Sequence, residues 1–426
     1  MSGSESLERL RGLRRGAALT LVFATVLATA AATNSLPRTG GEAPGERARP
    51  VSSTADRDEV ARAAADAMAN GTSATDAAEE VVSRSGDRWG AVYDKREYEE
   101  FRQALDGEYT GVGLWARRTA GGLVEVTRVQ PGGPAQQAGI GAGDIIREVD
   151  GRGIAKRPVT EVMALLRGDT RSAAPAEDTA DAKNSTDGAA DAPDASGDPG
   201  RPDASGESAV GTPVALGLER EGRRWTESLR RARLTTESVT VDTIEGGALR
   251  IKVGAFTKGT GERVREAVLE APKGAGVLLD LRGNAGGLVS EAVRATSAFL
   301  DGGLVATYDI RGEQRALYAD PGGDTERPVV VVVDGGTMSA AELVTGALKD
   351  RGRSVTVGSR TFGKGSVQMP SKLPDGSVAE LTVGHYRTPA GHGVDGHGVT
   401  PDLQVGEGAQ ERARTVLSGL GGTETE

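Results

Sequence analysis

Three turns of this chain combine polar groups, glycine and a preceding apolar run. Ser339 stands in Asp334-Gly-Gly-Thr-Met-Ser-Ala-Ala-Glu342, directly after the valine run 329–333. Lys364 stands in Thr361-Phe-Gly-Lys-Gly-Ser-Val-Gln368, and Arg282-Gly-Asn-Ala-Gly-Gly287 follows the apolar segment 276–281. A serine hydroxyl becomes a useful nucleophile when a base takes its proton. A serine at a strand-to-helix turn is exposed, and nearby helix N–H groups are free to bind an anion, which suits the oxyanion of an acyl-transfer reaction. Ser339-x-x-Glu342 also reads as a capping box, with Glu342 bonding back to the helix start. The two roles are compatible.

The base can be sought among histidine and lysine. His385, His392 and His397 all fall in one C-terminal stretch, and no G-x-S-x-G elbow surrounds Ser339, so a Ser-His-Asp arrangement has little support. Lys364 lies between glycines in the otherwise uncharged turn 362–369. Desolvated there, its pKa would fall from ~10.4 toward ~7–8, and it would accept a proton near neutral pH. A solvated turn lysine is the plain alternative. His392-x-x-Asp395-x-His397 has metal-ligand residue types, but the four glycines around it fit a loop better, and no metal is expected.

Composition narrows the classes. The 426 residues contain no cysteine, which excludes disulfides, thiolate metal sites, a thiol nucleophile and a lipoprotein cysteine anchor. The net charge of −10 argues against nucleic acid as the main partner. Residues 169–210 hold eight Asp, two Glu and only three Lys or Arg. The folded remainder is therefore close to neutral. That acidic segment has no Leu, Ile, Met or aromatic residue, so it cannot bury enough apolar surface to offset its ordering entropy, and it reads as disordered.

The elements that must position these turns follow from the pattern. Arginines 9, 11, 14 and 15 precede the uncharged run 16–33, which reads as a cleaved signal peptide or a membrane-anchoring signal, followed by a tether to residue 53. Either reading exports the rest of the chain, to the outer face of the cell membrane or beyond. Residues 54–107 read as a small helical subdomain. Residues 108–168 become short β runs with glycine punctuation, and β structure resumes at 211–235. From 236 to 408 strands and helices alternate, which favours a layered α/β core. Residues 409–426 read as a C-terminal tail.

The motifs taken together resemble the carboxyl-terminal processing, or tail-specific, proteases. Tyr109-Thr-Gly-Val-Gly113, Pro134-Ala-Gln-Gln-Ala-Gly139 with Gly143-Asp-Ile-Ile146, Asp280-Leu-Arg-Gly-Asn-Ala-Gly-Gly287, Ser339-Ala-Ala-Glu342, Thr361–Gln368, Tyr386-Arg-Thr-Pro389 and Gly398-Val-Thr-Pro-Asp402 occur in the family's order. The resemblance covers roughly 80–405. It implies an α/β fold: a ClpP/crotonase-like layered catalytic core at 236–408, a PDZ domain at 108–235 interrupted by the insert, and the N-terminal helices. It implies an S41-type serine endopeptidase that needs no cofactor. Ser339 would be the nucleophile, Lys364 the general base and Gln368 the residue that orients the lysine. The Ser-to-Lys spacing of 25 residues agrees. The backbone N–H groups of Ala340 and Gly287 would form the oxyanion hole, with Gly286 a weaker candidate. Gly111, Val112 and Gly113 would receive the C-terminal carboxylate of a polypeptide substrate. Ala285 stands where the family usually has Pro, and Ala341 where Ser or Thr is commoner; neither touches a catalytic group. A catalytically silent PDZ scaffold is the rival reading.

Overall fold

The structure, a computed structural model, describes residues 54–119, 121–155, 157–168, 209–310 and 313–421. The export segment expected over 16–33 and the acidic insert up to residue 208 lie outside these. Among the described residues, no helix is long and apolar enough to cross a membrane.

In chain order, helices α1 (Arg57–Ala69) and α2 (Ala74–Ser85) lead to β1 (Ala91–Tyr93) and α3 (Lys95–Leu105). Next come β2 (Glu108–Gly111), β3 (Leu114–Arg118), β4 (Val124–Val129), α4 (Pro134–Gln137), β5 (Ile145–Val149), β6 (Arg152–Gly153) and α5 (Val159–Arg167). Then follow β7 (Pro213–Arg220), β8 (Arg223–Arg230), β9 (Ala232–Thr235), β10 (Val239–Thr243), β11 (Leu249–Val253), α6 (Thr260–Glu270), β12 (Val277–Asp280) and α7 (Val289–Ser297). The chain continues with β13 (Leu304–Ile310), β14 (Glu313–Tyr318), β15 (Val329–Val333), α8 (Ala340–Asp350) and β16 (Val355–Gly358). It ends with β17 (Ser366–Lys372), β18 (Val378–Arg387), β19 (Leu403–Gln404) and α9 (Ala409–Gly421). Two compact units result. One joins the chain up to Tyr109 with Thr235 onward, and the other is Thr110–Leu234.

The larger unit is built on a six-stranded sheet of order β10-β11-β12-β15-β16-β19, parallel throughout except for β10. Parallel strands covered on both faces must be apolar at nearly every position. The unbroken burial of Val277–Asp280 and Val329–Val333 follows from this. Leu279, Val329, Val331 and Val333 pack with Val264 of α6, Ala292 of α7 and Val344 of α8. Leu278, Val330, Val332 and Val357 face the other way, onto Ala409, Ala413 and Leu417 of α9. The segment expected as a tail is therefore structural over Ala409–Gly421. Its small and apolar residues recur every four positions and cover an otherwise wet sheet face.

A second sheet, order β1-β18-β13-β14 with β17 also on β18, is antiparallel. The N-terminal segment belongs to it: Ala91 pairs with Glu380, and Ala379 and Leu381 pack against Val60, Ala64 and Ala78 of α1 and α2. Asp56 and Ser73 cap these helices through their side chains, satisfying N–H groups that lack an intrahelical acceptor.

The smaller unit is an antiparallel sheet of order β3-β4-β5-β7-β8, with β6 on β5, closed over a core that includes Val126, Ile146, Val162 and Leu216. Strand β3 ends this sheet, and α5 packs beside it.

Leu279 is 1 % exposed, at the centre of the parallel sheet. Leu279→Ala should lower the unfolding free energy by about 2–5 kcal/mol, read from a chemical-denaturation midpoint.

Candidate active site

The three glycine-rich turns leave the carboxyl ends of β12, β15 and β16, which are neighbours in the parallel sheet. Ligand and catalytic groups of open α/β sheets collect at this edge. Asn284, fully buried, ties the first two turns together. Its carbonyl accepts from Met338 N–H at 2.8 Å, its side-chain oxygen accepts from Gly286 N–H at 2.8 Å, and its amide donates to Val253 O at 3.0 Å.

Ser339 starts α8 with φ 54° and ψ −118°. A non-glycine residue at positive φ costs on the order of 1–3 kcal/mol and persists only where its surroundings hold it. The holding contacts are explicit. Its carbonyl accepts from Glu342 and Leu343 N–H at 2.8 and 3.1 Å, and from the Tyr386 hydroxyl at 2.8 Å. Its own N–H donates to Glu342 Oε2 at 2.9 Å. No G-x-S-x-G pattern announced it, yet the backbone makes the sharp, strained strand-to-helix turn on which a nucleophile stands proud.

Glu342 does more than close a capping box. Its carboxylate is fully buried and takes four hydrogen bonds. Oε2 accepts from Ser339 N–H and, at 2.8 Å, from Lys364 N–H. Oε1 accepts from Thr361 Oγ1 at 2.6 Å and from Gly363 N–H at 2.7 Å. One carboxylate thus fixes the main chain at both Ser339 and Lys364. Burial pushes its carboxyl above the ordinary glutamate range, and the bonds from Thr361, Gly363, Lys364 and Ser339 pull it back. Tyr386 adds a second brace, its hydroxyl lying 3.3 Å from Lys364 O as well. Burial, with the charges of Glu342 and Asp395, holds that phenol far above its usual pKa, so it stays a donor.

The Lys364 side chain is half-buried. Burial pushes its amine below the ordinary lysine range, opposed by the negative charges of Glu380 and Asp87. Its Nζ sits 5.3 Å from the centroid of the Trp89 ring. Gln368 is two residues into β17, just past a register shift between Val367 and Gln368. Its amide donates to Ser366 Oγ at 2.7 Å, and no hydrogen bond joins it to the Lys364 amine.

Gly287 and Ala340 lie on either side of the Ser339 turn. Neither backbone N–H donates to any acceptor among the described residues, although Gly287 is bridged to Phe256 through its neighbours: Phe256 N–H donates to Gly286 O, and Leu288 N–H to Phe256 O. A Cβ on Gly287 would fall 2.3 Å from Phe256 O, and one on Gly286 would fall 2.9 Å from Ser339 Cβ. Only glycine lets this strand run so close. In the other unit, Gly111, Val112 and Gly113 are buried. The carbonyls of Val112 and Gly113 accept from Ala135 and Gln130 N–H at 2.9 and 2.8 Å, and Gly113 has φ 78°. The amides of Val112 and Gly113 have no acceptor among the described residues.

The reading of residue types alone missed the double grip of Glu342, although its spacing from Ser339 was plain. It also missed Tyr386 as a brace and Trp89 as a neighbour of the lysine. Trp89 belongs to the aromatic stretch that holds Tyr93, Tyr98 and Phe101. Among the described residues no cluster of His, Asp or Glu could hold a metal ion.

Residues 248–405 match the family described as Peptidase family S41, and residues 125–174 match the PDZ domain. The chain thus carries a Peptidase family S41 domain, with a PDZ domain ahead of it in the sequence. The C-terminal processing peptidase, chloroplastic, of Tetradesmus obliquus is 32% identical over 315 residues, covering 71% of this chain and 62% of that protein. The probable CtpA-like serine protease of Staphylococcus saprophyticus is 27% identical over 354 residues, covering 82% of this chain and 63% of that protein. The chain therefore spans a little under two thirds of the length of these two relatives. The solved photosystem II D1 C-terminal processing protease is 28% identical, with 78% of this chain and 82% of that chain covered and a TM-score of 0.45.

Glu342→Gln keeps the shape but sets an amide N–H₂ against two of the four donors. Because displacement by ~1 Å can cost about 10²-fold, kcat on a peptide substrate should fall at least that far while the far-UV circular dichroism is kept. An unchanged kcat would show that the grip does not govern catalysis.

Proposed function

We propose that this protein is an exported serine endopeptidase of the C-terminal processing type, working through a Ser339/Lys364 dyad. The observation that carries the proposal is the shared Glu342 Oε2, which binds the backbone N–H of both residues at 2.9 and 2.8 Å. A carboxylate with no exposure that joins two residues 25 positions apart is a costly arrangement for mere packing.

In this mechanism the neutral Lys364 amine takes the proton from Ser339 Oγ, and the oxygen attacks the peptide carbonyl. The carbonyl oxygen becomes an anion held by Ala340 and Gly287 N–H, amides with no acceptor among the described residues. Lys364 returns the proton to the leaving amine, and a new chain terminus departs. Water then attacks the acyl-enzyme, with Lys364 again as base, and frees Ser339. The lysine acts only while neutral. Because burial lowers its pKa, the neutral fraction rises with pH through a point below the ~10.4 of an ordinary lysine. Gln368 would orient the lysine in the substrate-bound form.

The PDZ domain would capture the exposed tail of a polypeptide. Strand β3 has a free edge for an added strand, and the Gly111–Gly113 loop would receive the terminal carboxylate. The charge-poor run 16–33 would export the chain and either be removed or hold it at the membrane.

Wild type, Ser339→Ala and Lys364→Ala should be compared on a disordered protein ending in apolar residues. Loss of cleavage by about 10⁴-fold or more in both variants is expected. Equal cleavage in all three removes the dyad, and tail binding without cleavage by wild type makes the protein a scaffold. The wild-type kcat/KM profile should show an acid limb below the ordinary lysine range. Amidating the substrate's C-terminus should raise KM and leave kcat nearly unchanged.

A further inference from the structure

We infer that Trp89, supplied by the N-terminal segment, is a positioning residue for Lys364: its indole seals the amine from water and so keeps the base neutral. The inference rests on the reading of Lys364 as the base. Three contacts place the indole. Its Nε1 donates to Asp395 Oδ1 at 3.2 Å, and the same oxygen accepts from Gly365 N–H at 3.2 Å. Its ring lies 5.8 Å from that of Phe362. Trp89 is thus fastened to the lysine turn two residues before Lys364 and one residue after it, with Lys364 Nζ 5.3 Å from the ring centroid.

The backbone under the indole is held as firmly. Asp87 Oδ1 accepts from Trp89 N–H at 3.2 Å, Gly90 N–H at 2.8 Å and Thr382 Oγ1 at 2.7 Å. Its Oδ2 accepts from Thr382 N–H at 2.9 Å. Thr382 is on β18, the strand that also carries Tyr386. A buried carboxylate with four donors therefore clips the loop after α2 onto the sheet beside the site.

The charged groups around Lys364 act in different directions. Glu380 on β18 and Asp87 on the N-terminal loop favour the ammonium. Asp395 takes the indole N–H and Gly365 N–H, with His385 Nε2 3.7 Å from its Oδ2. Arg88 stands 4.5 Å from the Trp89 ring centroid. Glu342 bonds only the backbone of Lys364. The indole has two opposed effects. Its π face attracts a cation, and its bulk excludes the water a cation needs. On the proposal exclusion prevails, because the ring is pinned at both ends of the lysine turn and lies 5.3 Å from Nζ, and burial outweighs Glu380 and Asp87 at this amine. Removing the ring should then favour the ammonium and starve the reaction of base.

The test is the pH profile of kcat/KM on a peptide substrate for wild type, Trp89→Ala, Trp89→Phe and Lys364→Ala. In Trp89→Ala the acid limb should move to higher pH, with activity down about tenfold at pH 7 and recovering at alkaline pH. Trp89→Phe keeps an apolar cover and should hold the limb close to wild type. Should Trp89→Ala fail to fold, Trp89→Gln, which brings a wet amide to the same place, should move the limb in the same direction. An acid limb that stays put while activity falls by one factor at every pH would overturn the inference, since a merely structural role behaves that way. A limb that moves to lower pH would also overturn it, because the π attraction would then dominate. If Lys364→Ala cleaved as well as wild type, the base assignment itself would fall, and that result is distinct from either of the others.

Discussion

The main chain of Ser339 and that of Lys364 are held by one oxygen atom, Oε2 of Glu342. The two residues come from different turns, one after β15 and one after β16, and each turn is rich in glycine and has no stiffness of its own. A rigid scaffold must supply the geometry that catalysis needs to within a fraction of an ångström. The scaffold begins in the parallel sheet, which sets the strand ends side by side, and finishes with Glu342. A buried carboxylate is expensive unless its lone pairs are filled. Here four donors fill them, and all four belong to the site's own turns. The cost of burying the acid is thereby turned into a requirement that Ser339, Thr361, Gly363 and Lys364 be in place.

The strain at Ser339 belongs to the same balance. Its positive φ is a cost of about 1–3 kcal/mol, set against hydrogen bonds to a charged partner that contribute about 1.5–3 kcal/mol each. Asn284 performs the matching task for the opposite wall, linking Met338 to the Gly286–Gly287 strand. That strand runs so near Phe256 and Ser339 that a single methyl group on either glycine would collide with them. Ser339, the Gly287 and Ala340 amides, which have no acceptor among the described residues, and the lysine turn are therefore one braced assembly. Lys364 is the member whose environment depends on residues distant in sequence, among them Asp87 and Trp89.

Much of this was legible from residues alone, for identifiable reasons. Strands buried on both faces cannot hide, so Val329–Val333 and Val277–Asp280 read directly as parallel core, and the chemistry after them was found by residue type. Ser339 and Lys364 are marked because each sits among glycines and small residues with little else able to react. The antiparallel sheet was harder. Strand β14 is almost wholly exposed and rich in polar residues, and β17 contains Pro370, so neither shows the alternation that marks a half-buried strand. Helix α9 looked like a tail because few of its residues, Ala409, Ala413, Val416 and Leu417, pack onto the sheet. Gln368 follows a register shift in β17, and its amide donates to Ser366 Oγ, two residues away. Long-range grips such as Glu342 to Lys364 and Trp89 to Asp395 leave no mark on local spacing, since 22 and 306 residues separate the partners.

The proton on Lys364 Nζ is the quantity on which the whole account turns. It can be followed without turnover in lysine-labelled Ser339→Ala protein by titrating the side-chain carbon next to the amine in NMR, with Lys364→Ala to assign the signal. The account predicts a midpoint well below that of an ordinary lysine, coincident with the acid limb of wild-type cleavage. A lysine that remains fully cationic across the pH range in which the wild type cleaves would contradict it.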